Sequence, residues 1–339
     1  MSETTVGLAL LLVAGVMNAS FTLPMKFTRS WSWENTWLAW SIFALILLPP
    51  VVTALTVPHL GDVYRDAGMG PTLLAATFGV GWGVAQVFFG LAVESIGIAL
   101  TFSIVLGISA AVGSLLPLLR LHSGQLFTAA GGGVIAGVIL VIIGVSICAV
   151  AGRRREAVLS GEVGRVSASV GRGLVLSILC GLGASFVNFG LTFGHPLLVS
   201  AEKFGALPLW APNAAWLPLM LAGSIPNILY CLYLLSKNKT VGKFATGKFV
   251  SHTLLALVMA IFWFGSTLLY GVSAGKMGVL GPILGWPLFM SLIVITASVL
   301  GILTGEWKNT GKRPVRIQLG GVAFLVAAVF VLALASRWV

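Results

Sequence analysis

Residues 152–172 read GRRREAVLSGEVGRVSASVGR. No other stretch of this 339-residue chain is at once long, hydrophilic and strongly basic, for 58% of the residues are hydrophobic and only 9% are charged. A domain that folds in water carries about 25% charged residues, so the chain reads as a polytopic membrane protein. Apolar blocks near the ~20 residues that a crossing helix needs recur on both sides of the stretch. Five precede it, near 5–23, 36–57, 71–93, 97–119 and 127–151, and five follow it, near 171–194, 208–235, 251–271, 279–303 and 315–335. With an odd number of spans in each half, the second half enters the membrane from the opposite face. The expected fold is therefore all-α: ten transmembrane helices forming two inverted-topology five-helix repeats, residues 1–155 and 171–339, joined by a basic cytoplasmic linker at 156–170.

Charge orients this plan. The net charge is +11. All twenty Lys and Arg except Arg65, Arg120, Lys203, Lys276 and Arg337 lie in or beside the loops that follow odd-numbered spans. The positive-inside rule places those loops in the cytoplasm and both termini outside. Because the basic residues alternate with apolar blocks, they are assigned to topology and no nucleic-acid partner is expected. The opening MSETTVGLALLLVAGV has no basic lead-in, so the first block is expected to remain as a helix and not to be cleaved as a signal peptide. Cys148, Cys180 and Cys231 sit in or at the edge of apolar blocks without metal-ligand spacing and read as packing residues.

Traces of the repeat survive as residues. Trp82, Gly90 and Gly97 match Trp263, Gly271 and Gly278 at one ungapped offset, and Ala19-Ser20-Phe21 matches Ala184-Ser185-Phe186. Inverted repeats place a substrate site near the bilayer midplane, so transporter is the leading class. No Ser/His/Asp set, metal cluster or pair of carboxylates falls at one depth, and no enzyme, metal or cofactor is expected.

Polar residues within the spans are the candidates for that site. Trp82, Gln86 and Phe89 lie at i, i+4 and i+7 and share one helix face. Such an aromatic–amide–aromatic face suits a sugar, whose C–H faces pack on rings while the amide bonds hydroxyls; the alternative is an amide that joins two helices. Span 8 offers Trp263, Ser266, Thr267 and Tyr270, and Asn18 and Asn188 add amides in spans 1 and 6. These residues form the expected substrate lining. Of the nine carboxylates only Glu94 touches a span. It is either a boundary residue whose carboxylate reaches water or a proton carrier. His195 and His252, at span ends, are the other proton-coupling candidates. Four prolines in span 7 (208, 212, 218 and 226) are expected to break or kink it. The glycine stripe Gly79, Gly83, Gly90, Gly97 and the Gly133-xxx-Gly137 pair are expected to pack helices closely.

Pro24-Met-Lys26, Trp31-Ser-Trp-Glu34, Phe78-Gly-Val-Gly-Trp82-Gly through Gly90-Leu91, Gly97, and Glu306-Trp-Lys-Asn-Thr-Gly-Lys-Arg-Pro314-Val carry a further signal. With them the whole chain resembles the L-rhamnose–proton symporter family of the drug/metabolite transporter superfamily. The resemblance implies an inner-membrane importer that couples a 6-deoxyhexose to proton influx, driven by the proton gradient alone. The chain departs from the family's pattern at Gln86, Phe88-Phe89, Ser266 or Thr267, and Glu94, which widens the expected substrate from L-rhamnose to L-fucose or another deoxyhexose. A drug or metabolite exporter of the same superfamily is the alternative. The expected partners are a small sugar, protons and the lipid bilayer, and the expected state is a monomer. Glu34 and Glu306 are expected to cap helices or to pair with Lys26, Lys308 or Arg313.

Overall fold

The computed structural model describes residues 2–160, 170–245 and 247–338. Every regular element among them is helical. Ten spans are long and apolar enough to cross a membrane: α1 Glu3–Phe27, α2 Trp33–Thr56, α3 Met69–Ile96, α4 Ile98–Leu121, α5 Ala129–Leu159, α6 Val170–Lys203, α7 Asn213–Lys237, α8 Phe249–Lys276, α9 Gly281–Leu303 and α10 Lys312–Trp338. Large side chains such as Leu55, Leu303 and Phe330 are exposed on them, as a lipid solvent requires. The chain is a multi-pass membrane protein. Residues 161–169 of the expected basic linker lie outside the described residues.

Span edges depart from expectation where apolar content and helicity end at different places. α5 continues past residue 151 to Leu159, because Arg153 to Glu156 are strong helix formers and two of them find partners. Arg155 Nη2 lies 3.4 Å from Glu306 Oε2, and its guanidinium sits 5.4 Å from the centroid of Trp307. Glu156 Oε1 accepts the Ala99 amide at 3.4 Å, a carboxylate at a helix N-terminus, where the dipole favours it. So Glu306 does meet a basic partner, Arg155. α6 runs on to Lys203 in three pieces, Val170–Ala184, Phe186–Phe193 and His195–Lys203.

The prolines act by position. α7 opens at Asn213, after Pro208 and with Pro212 as its N-cap, while Pro218 and Pro226 lie inside the helix. A proline at a helix start has no intrahelical donor to lose. In α2 the turn Ile42–Leu47 widens to a π-helix just ahead of Pro49 and Pro50, which lack N–H groups and disturb the regular ladder.

The described chain divides into two compact units. One comprises Met1–Val16, Phe88–Asn188 and Ser273–Val339, and the other Met17–Val87 and Phe189–Val272. Each draws on both sequence halves. Helix association within lipid relies on close packing by small residues, and glycines provide it in both units. In the first, an added Cβ at Gly133 or Gly137 would collide with Ala335 or Leu332 of α10, and at Gly181 with Ile108 of α4. The Gly133-xxx-Gly137 face is thus filled by α10 of the same chain. Trp286 on α9 donates to the Ser109 carbonyl at 3.0 Å, over Gly113, which has no room for a side chain. In the second unit, Gly79 and Gly83 of α3 press on the α7 backbone at Leu219 and Gly223. A short helix, Leu60–Ala67, docks through Ser200 Oγ, which donates to the Val63 carbonyl and the Asp66 carboxylate, both at 2.9 Å. Hydrogen bonding from Lys203 holds the Asp66 carboxyl below its ordinary pKa.

The residues matched between the halves have matching roles. Ser20 ends the regular part of α1, and Ser185 sits at the first break of α6. Gly97 and Gly278 take φ of 81° and 82°, left-handed values that favour glycine, after α3 and α8 respectively.

Candidate functional site

The second unit holds a cluster of indoles. Trp33, Trp37 and Trp40 follow i, i+4, i+7 spacing at the start of α2, so they share a face. Trp33 stacks on Trp37 at 5.1 Å between centroids, and Trp37 lies 4.5 Å from Trp40. Trp40 meets Trp263 of α8 edge-on at 5.2 Å, and Trp263 stacks on Trp82 of α3 at 5.4 Å with 23° between the planes. The two repeat-matched tryptophans therefore face each other. Phe21, in the irregular turn that ends α1, joins at 5.8 Å from Trp40. Offset and edge-on pairs of this kind each add about 0.5–1.5 kcal/mol beyond burial, so the ladder holds its rings in place.

Amides border the ladder. Asn18 Nδ2 donates to Ser266 Oγ at 2.9 Å, and Ser266 Oγ donates to the Trp263 carbonyl at 2.6 Å. On the other side Trp37 Nε1 reaches Asn227 Oδ1 at 3.4 Å, and Asn227 Nδ2 donates to the Gly223 carbonyl at 3.0 Å. Two residues of this cluster, Trp40 and Gln86, carry polar groups without a partner. Trp40 is 1% exposed, and its indole N–H has no partner. Gln86, one turn beyond Trp82 on α3, is half-buried and makes no hydrogen bond. A mid-span polar group without a partner costs several kcal/mol in an apolar medium. The arrangement presents aromatic faces beside one free donor and one free amide, which is the chemistry that an uncharged polyol needs.

The expected lining residues separate into groups. Asn18, Trp82, Gln86, Trp263, Ser266 and Thr267 belong to this unit, although Thr267 Oγ1 donates to the Trp263 carbonyl of its own helix at 3.2 Å. Tyr270 belongs to it too but is fully buried. Phe89 and Asn188 fall in the first unit. There Phe89 packs edge-on against Phe102 at 4.9 Å, and Asn188 Nδ2 donates to the carbonyls of Gly113 at 2.8 Å and Pro282 at 3.1 Å. Sequence reasoning missed Trp37, Trp40 and Asn227. The spacing of Trp33, Trp37 and Trp40, the same rule applied to Trp82, Gln86 and Phe89, was the available signal.

The proton-coupling candidates lie in contrasting surroundings. Glu94 is exposed at the end of α3 and has no ion pair among the described residues, and His195 is exposed at the start of the last piece of α6. His252 is 2% exposed. Its Nε2 lies 2.7 Å from Ser30 Oγ, its ring meets Trp31 edge-on at 5.3 Å, and Nδ1 has no partner. Lys276 forms an ion pair with Glu3. Glu34 accepts from Thr240 Oγ1 at 2.6 Å and Asn238 Nδ2 at 3.1 Å, with the Lys243 charge also acting on it. Among the described residues no three His, Cys, Asp or Glu come together as a metal site.

Comparison with known proteins gives one answer throughout. The profile of the L-rhamnose-proton symport protein family matches residues 1–336. The L-rhamnose-proton symporter of Cronobacter sakazakii is 30% identical over 332 residues, 96% of each chain. Proteins of the same name from Mannheimia succiniciproducens and Escherichia coli K12 are each 28% identical, over 93% and 96% of each chain. All are similar to this chain along nearly its whole length.

Proposed function

The chain belongs to the L-rhamnose-proton symport family, and from that premise we propose that it imports a 6-deoxyhexose of the L-rhamnose or L-fucose type together with protons. The sugar's C–H faces lie against Trp82 and Trp263, and its hydroxyls engage Gln86, the Trp40 N–H and the Asn18–Ser266 pair. The observation that carries this reading is the free Gln86 amide and Trp40 N–H beside the stacked pair Trp82–Trp263. The site takes Asn18, Trp40, Trp82 and Gln86 from the first sequence half and Asn227, Trp263 and Ser266 from the second. That origin fits two inverted repeats, 1–155 and 171–339, and so do the matched break residues and the paired φ values of Gly97 and Gly278. In this reading both termini face the periplasm of a bacterial inner membrane, residues 156–170 are cytoplasmic, and the chain works as a monomer.

His252 is the proton carrier that the geometry favours over Glu94 and His195. Histidine titrates in the physiological range, and this one is enclosed yet keeps one ring nitrogen unpaired. It lies on α8 with Trp263, roughly 16 Å away at ~1.5 Å per residue, close enough for one helix to serve both ligands.

Thermal stabilisation of the purified protein by a sugar panel tests the substrate. A ligand that binds only the folded state raises apparent stability by mass action. A shift with L-rhamnose or L-fucose, but not with D-glucose or D-xylose, is the expected result. A shift with D-glucose alone would refute the deoxyhexose assignment.

A further inference from the structure

A groove of about 410 Å3 runs along α4 and α5 in the first unit. Leu100, Ile104 and Ala111 line one wall, and Ile142, Ser146 and Arg153 line the other. The helices are antiparallel, with Gly152 packed on Ala99, so Arg153 stands at the Leu100 end and Ile142 near the middle of α5. From Ile142 to Arg153 a helix rises roughly 16 Å at ~1.5 Å per residue. That is about half of the ~30 Å hydrocarbon core, the depth of one leaflet. The lining over that depth is apolar apart from Ser103 and Ser146, and it ends on a guanidinium. Arg153 is exposed and has no ion pair among the described residues. Its neighbours are differently engaged: Arg155 with Glu306, and Glu156 with the Ala99 amide.

We propose that this groove is a binding site for an anionic phospholipid, with one acyl chain along α4 and α5 and the headgroup phosphate on Arg153. An acyl chain matches the depth and the apolar walls. The charge at the mouth selects the headgroup, since arginine recognises phosphate through paired N–H donors. A single basic side chain near a membrane surface favours an anionic lipid by about fivefold. Bound there, the lipid would fill the interhelical recess that Gly107 and Ala111 leave beside Val145 and Ala149.

Native mass spectrometry of the full chain in detergent, with phosphatidylglycerol and phosphatidylcholine of identical acyl chains, tests the site. The expected result is about fivefold more phosphatidylglycerol than phosphatidylcholine retained. That preference should be lost in Arg153→Gln and kept in Arg154→Gln, whose guanidinium does not line the groove. Ser146→Trp fills the groove from an exposed position and should lower retention of both lipids, while sugar-dependent thermal stabilisation stays as in the parent. Equal retention of the two lipids by the parent overturns the proposal. So does an unchanged preference in Arg153→Gln, or a dimer cross-linked through the α4 and α5 faces, which would make a second copy of the chain the occupant.

Discussion

Gln86 and Trp40 carry the functional reading at the scale of single residues, because each holds a hydrogen-bonding group that the protein itself leaves unused. A net hydrogen bond contributes about 0.5–1.5 kcal/mol, so Gln86→Ala should weaken sugar binding by up to about tenfold. Trp40→Phe keeps the ring beside Trp263 and removes only the N–H, with a similar expected loss. Neither group bonds another residue in the absence of sugar, so the unliganded thermal midpoint should hardly move. Isothermal titration beside a melting curve separates the two effects; unchanged affinity in both variants would take these groups out of the site. Asn188 shows the opposite case. Its amide is fully used on the Gly113 and Pro282 carbonyls, and Asn188→Ala is expected to lower stability. From sequence alone Gln86 and Asn188 looked alike, both mid-span amides. Only the count of partners, which depends on other helices, separates them.

Elements reveal how the chain is held together without a hydrophobic drive between helices. The glycines of α3 do unequal work. At Gly83 a Cβ would run into the Gly223 carbonyl, whereas at Gly90 it meets nothing within 4 Å. Gly83→Leu should therefore abolish accumulation of folded protein. Gly90→Ala should be tolerated and can add up to about 1 kcal/mol through helix propensity. Yields of monodisperse protein from the two variants check this, and equal yields would contradict the packing account. The stripe itself was legible in the sequence, since its spacing of four and seven places it on one face. Which of its glycines touch a partner was not, for contact depends on where α7 crosses. Span edges were legible where hydropathy and helix end together, as at Leu303. They were not at α5, where Arg153 to Glu156 extend the helix beyond its apolar run, nor at α6, whose third piece packs beneath the polar helix Leu60–Ala67.

Across the whole molecule, the ten spans and the family were readable from composition, periodicity and motif. The mixing of both sequence halves in each compact unit was not, because chain order does not encode which helices meet. Proton coupling belongs to this scale, since it links a titrating group to sugar binding elsewhere on the chain. His252→Gln should leave sugar binding and sugar exchange across the membrane intact while accumulation against a gradient is lost; retained accumulation would move the proton to Glu94 or His195. The central claim is symport itself, and its most direct test is the external pH of a lightly buffered, energy-depleted suspension of cells making the chain. Addition of L-rhamnose or L-fucose should produce a transient alkaline shift that a protonophore abolishes and that cells lacking the chain do not show. No alkaline shift with either sugar, with the protein verified in the membrane, would contradict the account.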